Sequence, residues 1–510
     1  MTHSIMFFCK LDMQASASSK ILTASFSPKL LVWIALAVFV FLFIAGFIGY
    51  AGSKTVYLTF TFSFSALLFS GIFAPSSYSY LFLTIFLWLG FWFKFTANFL
   101  LFGFFPFGEP VGYFDESAAA WDHAFWIAIV ASSAVLLARL LYKLTGLEST
   151  ITAKPGKPPP TWYSRNRSLF WLGLVISIVG LSFLNAIFGI QQSGLVPRTR
   201  LPWPLNAVIY WLLSTGLSMA VATLLWWDIG LRKNLLPTVG VMLGEALFST
   251  VTLLSRSIYL FHAIPQLLML MINRRPLLIM PKRHTVWIVL AFLLLFAGSV
   301  VSVSFLRDFY YSSDAPAVGS THKPHESSSK IVSEPPPISS VRLILLHQLI
   351  VNRWIGMEGV LAVSSYPEKS PTLFVNELTA HSEIGKVDGY QKISNSTYQE
   401  IDGAKYQFSS LPGATAFFYY SGSAWYVFGG MFFLTFIAMC SERLVLLMTG
   451  NVVLCALYGV NVANAIAQLG VTPRQLVPHL GMIAAAVVII WAIQSSMFTR
   501  FVTNQWRRKS

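Results

Sequence analysis

Residues 286–305 read VWIVLAFLLLFAGSVVSVSF, twenty positions without a charged side chain, and Lys282 and Arg283 stand just before them. A helix rises about 1.5 Å per residue, so a run of roughly 20 apolar residues crosses the ~30 Å hydrocarbon core of a bilayer. The apolar positions are continuous rather than alternating, which favours a helix over a barrel strand. Comparable runs occur at Leu30–Tyr50, Thr55–Phe73, Tyr80–Phe104, Ala124–Tyr142, Ser168–Ile190, Leu205–Trp227, Leu236–Leu254, Ser257–Ile272, Ala424–Met439, Leu444–Ile466 and Leu480–Phe498. Over 510 residues the composition is 55% hydrophobic and only 11% charged, more apolar surface than a soluble core of this size hides. The expected fold is an all-α polytopic membrane protein with about twelve transmembrane helices.

The formal net charge of +15 would point to nucleic acid in a soluble protein, but here most basic residues fall in short connections between apolar runs. The positive-inside rule accounts for that distribution, so no nucleic-acid partner is implied. Lys10, Lys20 and Lys29 put residues 1–29 in the cytoplasm; the 143–167 linker, the 273–284 turn and the tail 499–510 are basic and fall on the same side. Residues 106–123 carry Glu109, Asp115, Glu116 and Asp122 without Lys or Arg, as an outer segment should. The first apolar run is too long for a signal-peptide core and is read as an anchor. Helices 1–9 then occupy residues 30–305 and helices 10–12 residues 424–498, with both termini cytoplasmic. The large loop between helices 9 and 10, residues 306–423, faces outward. Its first part, 311–340, is rich in Ser, Pro and Lys and reads as a tether. Residues 341–363 regain helical periodicity and read as one amphipathic helix lying on the outer face. Of the three cysteines, Cys9, Cys440 and Cys455, none lies in the loop, so no disulfide or cysteine-based metal site is expected there. No internal repeat is visible.

Ionisable groups within apolar helices cost several kcal/mol unless paired or wet, so they mark candidate sites. Glu245 sits mid-helix, Arg256 stands eleven residues on and close to the same face, and His262 follows; together they read as a polar lining or as a structural ion pair. Lys94, one turn before Asn98, belongs to the same cavity or snorkels to the interface. On a continuous 341–363 helix, His347 and Glu358 share a face to within about 20°, as do Arg342 and Arg353. Arg198, Arg200 and Arg474 are outward arginines, against the positive-inside trend, and gripping a phosphate or pyrophosphate is one reason for them. Trp121, Trp203, Trp354, Tyr419 and Tyr420 stack on sugars or anchor at the interface. No phosphate-binding glycine loop, dinucleotide fingerprint or zinc spacing is present.

The helix count, the late outer loop, the stretch Asn352-Arg353-Trp354-Ile355-Gly356-Met357-Glu358-Gly359 and the segments Leu411-Pro412-Gly413 and Tyr420-Ser421-Gly422-Ser423 resemble bacterial O-antigen polymerases of the Wzy type. The resemblance implies a metal-independent glycosyltransferase, without cofactor, at the periplasmic face of the inner membrane. It would join oligosaccharide repeat units carried on undecaprenyl pyrophosphate into a lipopolysaccharide O-antigen or related surface polysaccharide, with a chain-length regulator as a possible partner. It also implies that Arg353 and Arg256 hold the pyrophosphate, with Arg342, Arg198 and Arg200 as further candidates, and that Glu358 or His347 is the base. The chain lacks the histidine-centred motif of O-antigen ligases. A lipid-linked saccharide flippase or transporter, a ligase, and an accessory subunit of an envelope complex are the other readings. Whether Arg256 and Arg353 converge separates an enzyme from the rest.

Overall fold

The computed structural model describes residues 28–102, 110–147, 149–151, 159–202, 204–272, 282–311, 347, 350–380, 386–396, 399, 403–408, 410–469 and 473–495. The 1–27 segment, the tether, Arg342 and the basic tail lie outside the described residues. What is described is mostly helical. In chain order the long helices are α1 (Pro28–Gly49), α2 (Lys54–Phe73), α3 (Tyr78–Trp88, a π-helical turn Leu89–Phe93, then Lys94–Phe102), α4 (Ala118–Leu144) and α5 (Thr161–Phe188). There follow α6 (Leu205–Trp211, a π-helical turn Leu212–Gly216, then Leu217–Gly230), α7 (Leu236–Thr252), α8 (Arg256–Ile272) and α9 (Lys282–Tyr311). Short helices fill the loop: α10 (Met357–Ser365), α11 (Pro371–Thr379), α12 (Gly389–Ile393) and α13 (Gly413–Tyr419). The chain ends with α14 (Ala424–Thr449), α15 (Val452–Ala467) and α16 (Pro473–Gln494). Two residue pairs, Gly194–Gln407 and Leu195–Tyr406, form a minimal antiparallel ribbon, β1 (Gly194–Leu195) with β2 (Tyr406–Gln407), which ties the α5–α6 connection to the loop.

Eight of the described helical stretches are long and apolar enough to cross a membrane, and Trp33–Gly49, Leu236–Thr252 and Val452–Ala467 are shorter apolar helices. The multi-pass character follows from these helices and from the large apolar side chains they expose, such as Phe62, Phe73, Trp287 and Leu294. Inside, α14 packs on α4 and α15 on α3. Aromatic rings from α1 to α4 interlock around Phe60 and Phe125, whose rings stack with centroids 4.3 Å apart.

Several boundaries differ from those read in the sequence. The break expected near 440–443 is absent: α14 runs on to Thr449 and ends at left-handed Gly450, whose N–H meets the Leu446 carbonyl at 2.7 Å. Glu442, which suggests a connection, is instead fully buried within the helix. Its carboxylate accepts from the backbone N–H groups of Tyr78 (2.9 Å) and Ser79 (2.6 Å) and from the Thr150 hydroxyl, so it caps α3 and holds the 149–151 segment. A second carboxylate, Asp228, pins the same end of the bundle. Arg167 grips it in a fork at 2.7 and 2.6 Å, and Tyr163 and Thr238 donate to it at 2.7 and 2.8 Å.

The 341–363 helix is not continuous either. Val351–Arg353 form a turn, the chain is extended at Gly356, and α10 starts only at Met357. The break comes from close packing on α3. A Cβ on Gly90 would lie 2.1 Å from the Ile355 carbonyl oxygen, and one on Gly356 2.8 Å from that of Gly90. The loop therefore sinks between helices rather than lying on them, at what is the loop end of the bundle.

Candidate functional site

The loop end has two polar centres on either side of the Asn352–Glu358 stretch. The first is built on α3. Its π-helical turn ends at Phe93, and the next residue, Lys94, is wholly buried. The Lys94 ammonium donates to the main-chain carbonyls of Trp354 (2.7 Å) and Asn352 (3.3 Å) and forms an ion pair with Glu358 Oε1. Lys94 thus does not snorkel; the loop brings carbonyls and a carboxylate inward to meet it. One turn further, Asn98 Oδ1 accepts from His347 Nε2. Burial holds the His347 imidazole below its ordinary pKa, and the charge of Lys94 adds to the effect, so the ring is neutral at neutral pH.

His347 and Glu358 were expected on one face of one helix. They stand on separate segments, and it is the Lys94–Asn98 pair that gathers them. Among the described residues, Glu358 Oε2, Asn98 Nδ2 and the side-chain oxygen of Asn352 are buried without a hydrogen-bond partner.

The second centre is cationic. Arg353 has an open side toward solvent, yet its crowded surroundings desolvate the guanidinium and push its pKa down to about 10, with repulsion from Arg307 and then Arg256 contributing. Three arginines from three segments are therefore close enough to feel one another. No carboxylate answers Arg353 among the described residues. Arg256 begins α8 just past the turn that ends α7, so it does not share a helix face with Glu245 as the eleven-residue spacing suggested. That turn is closed by Leu254 in a left-handed conformation, and Arg307 on α9 grips the Leu254 carbonyl at 3.0 and 2.7 Å. Arg307 was missed in the sequence because it sits at the edge of the loop. It is another outward arginine by the chain's own alternation, and the test applied to Arg198 would have found it.

Arg198 lies over the ring of Tyr310, 5.3 Å away and one turn from Arg307, at the margin of this cluster. Arg200 is exposed in the same connection, and Arg474 is exposed on α16. Arg342 cannot be assigned to either centre, being outside the described residues.

Glu245 and His262 form a third, deeper pair. His262 Nδ1 lies 3.0 Å from Glu245 Oε1, its Nε2 donates to the Ser214 carbonyl at 2.8 Å, and Ser249 donates to Glu245 at 2.9 Å. Ser214 belongs to the π-helical turn of α6, where the widened turn turns a carbonyl toward the histidine. This pair is internally satisfied and does not join the arginines, so it reads as a helix-to-helix tie. Of the aromatics expected to stack on sugars, Trp121 and Tyr420 are core residues, and Tyr419 is buried with its hydroxyl 2.9 Å from His123 Nε2. Trp354 is partly exposed and stacks on Phe86; Trp203 is outside the described residues.

On the loop itself, burial pushes the Asp388 carboxyl up to about 6, helped by neighbouring Glu377, while hydrogen bonds from the backbone at Gln391 oppose the rise. Asp388 caps the short α12 and so has a structural task. No group of three or more His, Cys, Asp or Glu among the described residues is arranged to hold a metal ion. Comparison of the chain with protein-family models, with curated proteins and with solved structures finds no match, so the functional reading rests on these residues.

Proposed function

We propose that the chain is a membrane polymerase of lipid-linked oligosaccharides: it joins repeat units carried on undecaprenyl pyrophosphate at the periplasmic face of the bacterial inner membrane. In this reading twelve helices cross the bilayer, both termini are cytoplasmic, and the loop end is periplasmic. The observation that supports it is the convergence of Arg256, Arg307 and Arg353, with Arg353 lacking a carboxylate partner among the described residues. Three mutually repelling guanidinium groups are costly to gather, and an anion of several charges repays that cost by accepting bidentate hydrogen bonds. Breaking a sugar–diphosphate bond develops negative charge on the leaving oxygen, and arginines already in place stabilise it without a metal ion. Glu358 and His347, whose partners Lys94 and Asn98 stand about one turn apart on α3, are the groups able to take the proton of the acceptor hydroxyl.

Purified protein given undecaprenyl-pyrophosphate-linked repeat units lengthens them without added nucleotide or metal. Arg353→Ala, which removes the arginine least engaged in the fold, lowers elongation by at least 100-fold at unchanged expression. Full activity in that variant, or loss of wild-type activity on chelation, overturns the reading. A flippase is the second reading, favoured by the buried Glu245–His262 pair beside a distorted helix. It requires movement of labelled lipid-linked saccharide across vesicles without elongation.

A further inference from the structure

Resting on the polymerase reading, we infer that the Lys94 centre is the acceptor subsite, and that Asn98, Asn352 and Glu358 together recognise neighbouring hydroxyl groups of a sugar. The three buried atoms without partners among the described residues are one donor, Asn98 Nδ2, and two acceptors, Glu358 Oε2 and the Asn352 side-chain oxygen. Leaving such atoms unmatched is costly, and a fold tolerates it where a ligand supplies the partners. A hydroxyl group both donates and accepts. One sugar hydroxyl donating to Glu358 Oε2 while accepting from Asn98 Nδ2, with a second donating to the Asn352 side chain, matches the set. A phosphate, having only acceptors, would meet repulsion at two of the three atoms, so this centre complements the arginines rather than extending them.

The protein prepares each of these atoms separately. Lys94 occupies Glu358 Oε1 in an ion pair, which leaves Oε2 as the proton acceptor. His347 occupies Asn98 Oδ1, which fixes the amide so that its N–H groups face away from the imidazole. Lys94 also takes the main-chain carbonyl of Asn352, so the side chain of that residue is the part left over. Glu358 is therefore the catalytic base and His347 a positioning residue. The acceptor O–H proton passes to Glu358 Oε2 as the oxygen bonds to the anomeric carbon of the donor. The anomeric carbon–oxygen bond breaks with its electron pair leaving on the diphosphate, and Glu358 then returns its proton to the aqueous phase.

The test uses the full-length protein in lipid nanodiscs, with tritiated undecaprenyl pyrophosphate as the probe of the arginine site and repeat units extracted from host membranes as the elongation substrate. Asn352→Ala and Asn98→Asp should raise the KM for elongation tenfold or more, and Glu358→Gln should lower kcat at least 100-fold. All three should bind undecaprenyl pyrophosphate within twofold of wild type. His347→Ala, which releases the Asn98 amide, should raise the KM for elongation, and His347→Gln, which can still donate to Asn98, should restore it; a fall in kcat that His347→Gln does not restore would make His347 the base and overturn the assignment. Unchanged KM in Asn352→Ala overturns the subsite even if Asn98→Asp fails to fold, because that variant leaves the Lys94 contact in place. Loss of probe binding along with elongation in Asn352→Ala also overturns it, as the residue would then be structural. If the wild type neither binds the probe nor elongates, the polymerase reading falls, and the subsite falls with it.

Discussion

Lys94 illustrates how far residue-level reading goes in a membrane protein. An ammonium in an apolar helix is conspicuous, and the expectation that it either joins a polar cavity or reaches the interface follows from its cost alone. Its partners were not legible, because Trp354, Asn352 and Glu358 stand more than 250 residues away, and the first two meet it through main-chain carbonyls that any sequence would supply. The same is true of Glu442 and Asp228, whose caps and forks join segments far apart in the chain. The Lys94–Glu358 pair is buried on both sides, at 0 and 8% side-chain exposure, so removing one partner strands the other in a place where it cannot be hydrated. Lys94→Met should lower stability by about 3–5 kcal/mol, whereas Lys94→Met combined with Glu358→Leu should regain most of that loss. Unfolding in mild detergent followed by tryptophan fluorescence measures both; equal losses in the single and double variants would show that the pair is not what the lysine contributes.

At the scale of elements, the long helices are readable because apolar periodicity and length are intrinsic to each segment, while their interruptions are set by neighbours. The π-helical turns of α3 and α6 carry no distinctive sequence, yet each adjoins a polar centre, Lys94 in one case and the Ser214 carbonyl with His262 in the other. The 341–363 stretch has the spacing of a helix, and facing residues were inferred from that spacing. The glycines at 356 and 359 carry the opposing information, that something passes close by. A Cβ at Gly359 on α10 would stand 1.8 Å from the Pro412 carbonyl oxygen, a backbone atom that has no rotamer by which to withdraw. In an exposed helix Gly→Ala stabilises by roughly 0.5–1 kcal/mol. Here Gly359→Ala should destabilise instead, on the order of 3 kcal/mol, and should loosen α10 from α13. Thermal unfolding gives the sign, and faster proteolysis within the loop gives the place; a stabilised Gly359→Ala protein would mean that α10 is not packed as described.

For the whole molecule, charge and architecture make linked demands. The end of the bundle opposite the loop carries Lys143, Arg165, Arg167, Arg232, Lys233 and Arg283, the excess expected of a cytoplasmic face. The loop end carries Asp115, Glu116, Glu368, Glu377 and Asp388, but also Arg198, Arg200, Arg256, Arg307 and Arg353. If orientation followed from basic residues alone, those arginines would weaken it. They are spread over three connections and interact with main-chain carbonyls, an aromatic ring and one another, which in the proposed reading leaves the basic linkers at the other end to direct insertion. In the proposed reading the loop therefore faces the periplasm. The background for labelling is Cys9→Ser with Cys440→Ser, since Cys9 lies outside the described residues and Cys440 is only partly buried, whereas Cys455 is buried. A cysteine replacing exposed Glu368 should react with a membrane-impermeant maleimide in cells whose outer membrane alone has been opened. A cysteine replacing exposed Lys233, at the far end of α6, should react only after lysis. The reverse pattern would place the arginine cluster in the cytoplasm, where ordinary positive-inside bias explains it and no bound diphosphate is needed.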